Sequence, residues 1–211
     1  VIIKASEIAP CSLFELAKLI DQAGFPKGVV SVVTGDSDNC AIPLTSHPGI
    51  DRIAFTGGTE TAKKIIKNSA NNFAATNLEL GGKSPLVIFD DADIESAANG
   101  IIAGNFGASG QSCVAGSRVI VQKNIASKLI DIIKQKSEKI IVGNPLDPKT
   151  NLGPLCTSKQ IEIIENTIHK SVSQGAEIIF GGKKIEKEGN YFDPTLIYCP
   201  HRDIETLKIE M

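Results

Sequence analysis

Cys113 stands in the run Phe106-Gly107-Ala108-Ser109-Gly110-Gln111-Ser112-Cys113-Val114-Ala115-Gly116-Ser117-Arg118. Small residues on both sides leave room for a substrate beside the sulfur. They also let backbone N–H groups point at an oxyanion forming there. The thiolate is the nucleophilic form, and a free cysteine has a pKa of about 8.5, so chemistry at neutral pH needs a setting that favours ionisation. The competing reading is a buried thiol that packs as a small apolar side chain. Glu79 is the second candidate, in Leu78-Glu79-Leu80-Gly81-Gly82-Lys83-Ser84-Pro85. It ends an apolar stretch just before a Gly-Gly turn. Buried there, its carboxyl would have a raised pKa and suit a general base. Facing solvent, or paired with Lys83, it would be an ordinary strand-end acid.

Two further segments read as anion or sugar sites. In Phe55-Thr56-Gly57-Gly58-Thr59-Glu60 a strand pattern gives way to two glycines and then to a helical pattern. That sets backbone N–H groups at a helix N-terminus, where phosphate binds. Neither G-x-G-x-x-G nor the P-loop pattern occurs there, and an ordinary strand-to-helix turn would look the same. Lys4 and Glu7 follow the first strand candidate. In open parallel sheets ligands bind beyond the carboxyl ends of the strands, so a lysine and an acid there can hold ribose hydroxyls, or simply pair in solvent.

The elements that must position these residues alternate in type. Residues 1–3, 29–33, 52–55, 85–89 and 118–122 read as strands, and 178–180 and 195–198 as two more. Leu13, Leu16, Ala17 and Ile20 recur at helical spacing, with Gly24 as a C-cap and Pro26 breaking any continuation. Residues 59–70 are helical. Asp93 reads as the N-cap of a helix rich in alanine and glycine, and residues 107–113 as a glycine-rich loop. Asn124 reads as the cap of an amphipathic helix carrying Leu129, Ile132 and Ile133. Residues 143–154 form an ordered loop with three prolines, and Thr157 with Gln160 fits a capping box. Strands alternating with helices imply crossover units and a parallel sheet, an α/β fold. A break at Gly81-Gly82 divides the chain into 1–81 and 82–211.

Composition excludes several classes. The 211 residues carry 22 basic and 24 acidic side chains, for a formal net charge of −2. This balance lacks the basic excess of a nucleic-acid binder. No run approaches about 18 apolar residues, so a membrane-spanning helix is not expected. Five cysteines, Cys11, Cys40, Cys113, Cys156 and Cys199, stand at wide spacing with no C-x-x-C pair. They read as reduced thiols of a cytoplasmic protein. His47, His169 and His201 share no metal-ligand spacing with them, so no metal is expected. The chain starts at Val1 and stops directly after a charged run, and it reads as an internal piece of a longer protein.

Taken together the segments resemble the aldehyde dehydrogenase superfamily. Lys4-Ala5-Ser6-Glu7 is similar to its K-P-S-E segment, with alanine for proline, and Gly24-Phe25-Pro26-Lys27-Gly28-Val29-Val30 to its G-F-P-x-G-V-V segment. Leu78 to Pro85 resembles the family's glutamate signature and Phe106 to Ser117 its cysteine signature. The Glu79–Cys113 separation and Gly143-Asn144-Pro145 fit as well. The closing Ile209-Glu210-Met211 is similar to the start of a later E-x-F-G-P segment.

The resemblance implies an aldehyde dehydrogenase-like fold. Residues 1–81 would be the C-terminal part of a Rossmann-like NAD-binding domain, and 82–211 an incomplete α/β catalytic domain. It implies a hydrolytic, NAD-dependent oxidation of an aldehyde to a carboxylic acid, with Cys113 as nucleophile and Glu79 as base. Lys4, Ser6, Glu7, Phe55, Thr56, Gly57, Gly58, Leu80, Gly81 and Glu210 would contact the cofactor. The acid at Glu7 favours NAD over NADP by charge, with NADP as the alternative cofactor. Glycine at Gly58, where the family often has serine, removes one phosphate contact. The partners implied are a small aldehyde and further copies of the full-length chain, as a homodimer or homotetramer. The alternatives are a CoA-acylating relative, which Glu79 disfavours, and a non-catalytic protein that kept the fold.

Overall fold

The computed structural model describes residues 1–210 of the chain, which divides into two compact units, Val1–Leu80 and Gly81–Met211. In the first, β1 (Ile2–Lys4) pairs in parallel with β2 (Ser31–Val33), Ile2 opposite Ser31 and Lys4 opposite Val33. The Ala5 N–H extends the ladder to the Val33 carbonyl at 2.8 Å. The crossover between them is α1 (Cys11–Gln22), which ends where Gly24 takes a φ of +80°. Only glycine adopts that conformation without a steric cost. A short turn over Ser37–Ala41 and the four-residue α2 (Ile42–Thr45) lead to β3 (Arg52–Gly57).

β3 pairs in parallel with β4 (Ala75–Leu80) over six residues, from Arg52 opposite Ala75 to Gly57 opposite Leu80. Their crossover is α3 (Thr59–Ser69), whose buried residues Ala62, Ile65 and Ser69 recur at helical spacing on one face. Two amides tie the segment around α2 to α3 and its exit: Asn68 Nδ2 donates to Thr45 Oγ1 at 3.1 Å, and Asn72 Nδ2 to the His47 carbonyl at 2.8 Å.

The second unit repeats the crossover. β5 (Pro85–Ile88) and β6 (Arg118–Val121) pair in parallel, joined through α4 (Ile94–Phe106). Asp93 caps α4 as expected, accepting the Ser96 N–H at 2.7 Å. α5 (Lys123–Ser137) lies against α4, and Ile88, Ala98, Ile101, Leu129 and Ile133 form the core between strand and helices. Asn124 does not cap α5: the N-cap is Gln122, and Asn124 lies inside the helix, its Nδ2 donating to Asp90 Oδ2 at 2.8 Å. Gln122 Nε2 donates to the same oxygen at 3.0 Å. Asp90 thus gathers both amides at the sheet end, and the helix starts two residues earlier than expected.

α6 (Ser158–Ser173) follows the 143–154 loop, with Thr157 Oγ1 accepting the Gln160 N–H at 3.3 Å. Ile161, Ile168 and Phe192 make a second buried cluster beneath it. β7 (Glu177–Phe180) and β8 (Leu196–Tyr198) close the chain as an antiparallel pair. No helix among the described residues is long and apolar enough to cross a membrane.

Candidate active site

Cys113 lies on the return from α4 to β6, and the packing of that unit brings it there. α4 is anchored by Ala98 and Ile101 in the core and stops at Phe106; β6 resumes at Arg118 in register with Pro85. The eleven intervening residues are fixed at both ends. Arg118 Nε donates to the Lys83 carbonyl at 2.6 Å, and the Arg118 N–H to the Ser84 carbonyl at 3.2 Å. Asn105 Nδ2 reaches the Ile101 carbonyl at 2.8 Å and the Gly116 carbonyl at 3.3 Å.

Within this return, Ala108, Ser109 and Gly110 take φ values of +51°, +55° and +72° in succession. Glycine adopts the left-handed region readily. For each of the other two it costs about 1–2 kcal/mol. The chain then makes a tight turn in which the Ala115 N–H donates to the Ser112 carbonyl at 3.2 Å. Cys113 occupies the turn, exposed, and among the described residues its own N–H is donated to no acceptor. An accessible thiol with an uncommitted N–H beside it is what attack on a carbonyl requires: the sulfur adds to carbon, and the N–H can receive the oxygen. The buried-thiol reading of Cys113 does not hold.

Glu79 is near the carboxyl end of β4, opposite Thr56. It is exposed, not buried, and the strand-end position stands. The same strand end carries Leu80, half-buried opposite Gly57. Beyond β3, Gly58 is the N-cap of α3 and offers no side-chain acceptor to the first-turn N–H groups. A Cβ built on Gly58 meets nothing within 4 Å. On Gly57 it would come within 2.6 Å of the Phe55 ring, so the ring closes one side of the turn. The chain therefore leaves free N–H donors and open space at the end of β3, which fits a diphosphate. The fit includes one opposing charge, Glu60 in the first turn, which is paired with Lys63 at 2.7 Å.

Lys4 and Glu7 meet beyond the end of β1, Lys4 Nζ lying 2.9 Å from Glu7 Oε2 and 3.2 Å from the Ala5 carbonyl. The Lys4 hydrogen bond, then a backbone hydrogen bond and the Lys4 charge, hold the Glu7 carboxyl below its ordinary range against the nearby Asp36. Ser6 Oγ accepts the Ile8 N–H at 3.3 Å and shapes the turn that carries Glu7. Sequence reasoning passed over Asp36, whose carboxylate accepts the Asn39 N–H at 2.7 Å while lying within electrostatic reach of Lys4 and Glu7. Its signal was the Asp36-x-x-Asn39 spacing of a capped turn.

In the second unit the Glu210 carboxylate lies directly over Gly81, where a Cβ would overlap it. Two of the expected cofactor residues are thereby in contact. Lys83 is half-buried beside them. Burial, and then the Arg118 charge, push its ammonium pKa down, while Cys199 and Glu210 act the other way. Burial raises the Cys199 thiol in turn, with Lys83 opposing. Among the described residues no three His, Cys, Asp or Glu side chains gather as a metal site would need.

Parallel βα units with an exposed cysteine on a crossover return define this α/β chain, and the comparisons name its family. Residues 1–211 match the aldehyde dehydrogenase family, and the chain belongs to it. It is 50% identical over 199 residues to (Z)-2-((N-methylformamido)methylene)-5-hydroxybutyrolactone dehydrogenase of Acinetobacter baylyi, covering 94% of this chain and 41% of that one. The crystal structure of betaine aldehyde dehydrogenase from Staphylococcus aureus in complex with NAD+ superposes with a TM-score of 0.95 at 36% identity, over 99% of this chain and 42% of that one. An NADP-dependent enzyme of E. coli superposes with a TM-score of 0.93 at 33% identity, over 98% and 44%. The chain thus spans about two fifths of the length of the relatives it matches. The fold is the aldehyde dehydrogenase fold, an α/β arrangement as expected.

Proposed function

We propose that the parent protein oxidises an aldehyde to a carboxylic acid with NAD, with Cys113 as nucleophile and Glu79 as general base. The Cys113 turn carries this reading, because it holds an exposed thiol and an uncommitted N–H at one residue. The Val1–Leu80 unit belongs to the cofactor-binding domain and the Gly81–Met211 unit to the catalytic domain. Lys4, Ser6 and Glu7 would hold the adenine ribose. Phe55, Thr56, Gly57 and Gly58 would contact the diphosphate and nicotinamide. Leu80 and Gly81 would add further cofactor contacts, and Glu210 would hold the nicotinamide ribose.

The Cys113 thiolate adds to the aldehyde carbon, and its N–H receives the developing oxyanion. NAD, when bound, supplies the acceptor for the hydride that leaves this carbon. The acyl group then remains on the Cys113 sulfur as a thioester. Glu79 takes a proton from the water that attacks it, and the thiolate departs as leaving group. In sum, aldehyde, NAD+ and water give acid, NADH and a proton. The nitrogen-bearing substrates named for the relatives suggest a small polar aldehyde.

The test is NADH formation by the parent protein against an aldehyde panel, with and without CoA. Cys113→Ala is expected to abolish turnover. Glu79→Gln should leave one rapid equivalent of NADH per site and stall afterwards. Steady release of free acid by Glu79→Gln at the parent rate would remove the base assignment. NADH that appears only with CoA would make the protein an acylating relative instead.

A further inference from the structure

Building on the reading of Cys113 as nucleophile, we propose that Gln111 is a positioning residue, whose side-chain oxygen holds the cysteine turn in place by accepting the Cys156 N–H. Three consecutive left-handed residues, Ala108, Ser109 and Gly110, precede it. Such a conformation persists only where the surroundings over-determine it.

Polar ties supply part of that constraint. The inner side of the loop borders a cleft of about 160 Å³, with Ser109, Gly110 and Gln111 on one wall and Leu152, Gly153 and Phe192 among the facing residues. Several polar ties bear on its position. Asn105 holds the far side through the Gly116 carbonyl. The Gln111 N–H closes the left-handed turn on the Ala108 carbonyl at 3.1 Å. Its Oε1 then reaches 45 residues along the chain to the Cys156 N–H at 3.4 Å. At Gln111 the backbone leaves the left-handed run, with φ −99° and ψ 55°. Cys113 follows two residues later, so a displacement of Gln111 passes through two peptide units to the sulfur. The bond is long for an N–H···O contact. Its consequence is where the loop rests, not whether the unit folds.

The test uses the parent protein carrying Gln111→Met, which keeps the length and loses the acceptor, and Gln111→Asn, which keeps the amide but falls short of Cys156. Both are expected to lower kcat by about tenfold to a hundredfold, the range for a misplaced reacting group. KM for aldehyde and NAD should stay within about twofold. The melting temperature should hold, and so should the rate of Cys113 alkylation by iodoacetamide, read on its own peptide by mass spectrometry. Alkylation needs a thiolate but no aligned substrate, so it separates position from reactivity. Cys156→Ala keeps the donated N–H and is expected to keep the parent kcat. A kcat equal to the parent's in both Gln111 variants would overturn the proposal. So would a loss of kcat that runs parallel with alkylation rate and melting temperature, or a loss in Cys156→Ala as large as in Gln111→Met. If Cys113→Ala itself retained NADH formation, the functional reading would fail and this inference with it.

Discussion

Under the proposed function, a single carboxylate would set the charge met at the adenine ribose. Glu7 is exposed, yet the Lys4 hydrogen bond keeps its pKa low, so it stays ionised across neutral and mildly acidic pH. A 2′-phosphate placed there would meet a like charge. Glu7→Gln in the parent protein is expected to raise kcat/KM with NADP relative to NAD by at least about tenfold. Because the pKa is lowered, the discrimination should hold flat through neutrality and fade only as pH falls through that lowered value. An unchanged cofactor ratio in steady-state assays would remove Glu7 from the ribose. At this scale much was legible in the sequence. The small residues around Cys113 announced an accessible thiol, and Lys4 with Glu7 announced a pair. The left-handed run was not legible, because Ala108 and Ser109 carry no local mark of a conformation that their surroundings impose. Nor was the part of Asp36, which the return of β2 beside β1 brings near Lys4.

The βα crossover, β5 to α4 to β6, is the element on which the proposed nucleophile depends. Part of its core was readable from periodicity, in Leu129 and Ile133 on one face of α5, whereas Ala98 and Ile101 of α4 emerged with the structure. Strand and helix bounds came within about two residues, and the miss at Asn124 came from Asp90, a partner 34 residues away that no local pattern shows. Leu129 is 1% exposed, so Leu129→Ala should lower stability by about 2–5 kcal/mol in denaturant titration, with a matching fall in the temperature at which activity is lost. A change below about 0.5 kcal/mol would mean that this core does not hold the loop. Lys83 gives the same unit a pH dependence. Its folded pKa lies below the ordinary 10.5, so the unfolded chain binds the proton more tightly. Stability therefore rises with pH between the lowered value and about 10.5, and below that window the cost of burying the ammonium is present in full. Lys83→Met is expected to melt higher than the parent at neutral pH and to lose the rise. Equal melting curves at neutral and alkaline pH in the parent would refute the burial argument.

The two units differ in how much they bury. Gly81–Met211 holds two apolar clusters, whereas among the described residues of Val1–Leu80 the buried apolar side chains are Ala5, Ala62 and Ile65. In that first unit Phe14, Leu16, Leu19 and Phe25 remain exposed, and Phe73 is 94% exposed at a φ of +54°. Ordering some eighty residues costs on the order of 1 kcal/mol or more each, and three buried side chains, two of them alanines, offset little of it. The sequence could not show this imbalance, since helical spacing marks which face is apolar and not whether anything covers it. With the chain spanning two fifths of its relatives' length, residues 1–211 alone are expected to form no measurable NADH. Limited proteolysis of that piece should cut within Val1–Leu80 well before it cuts between Pro85 and Ser137. The order of cleavage tests the packing argument independently of any substrate, because proteolysis follows the population of locally opened states. Simultaneous loss of both units would mean that their stabilities are coupled. Early cleavage at α4 or α5, with Val1–Leu80 intact, would overturn the assignment of stability to the second unit and the support it lends the cysteine turn.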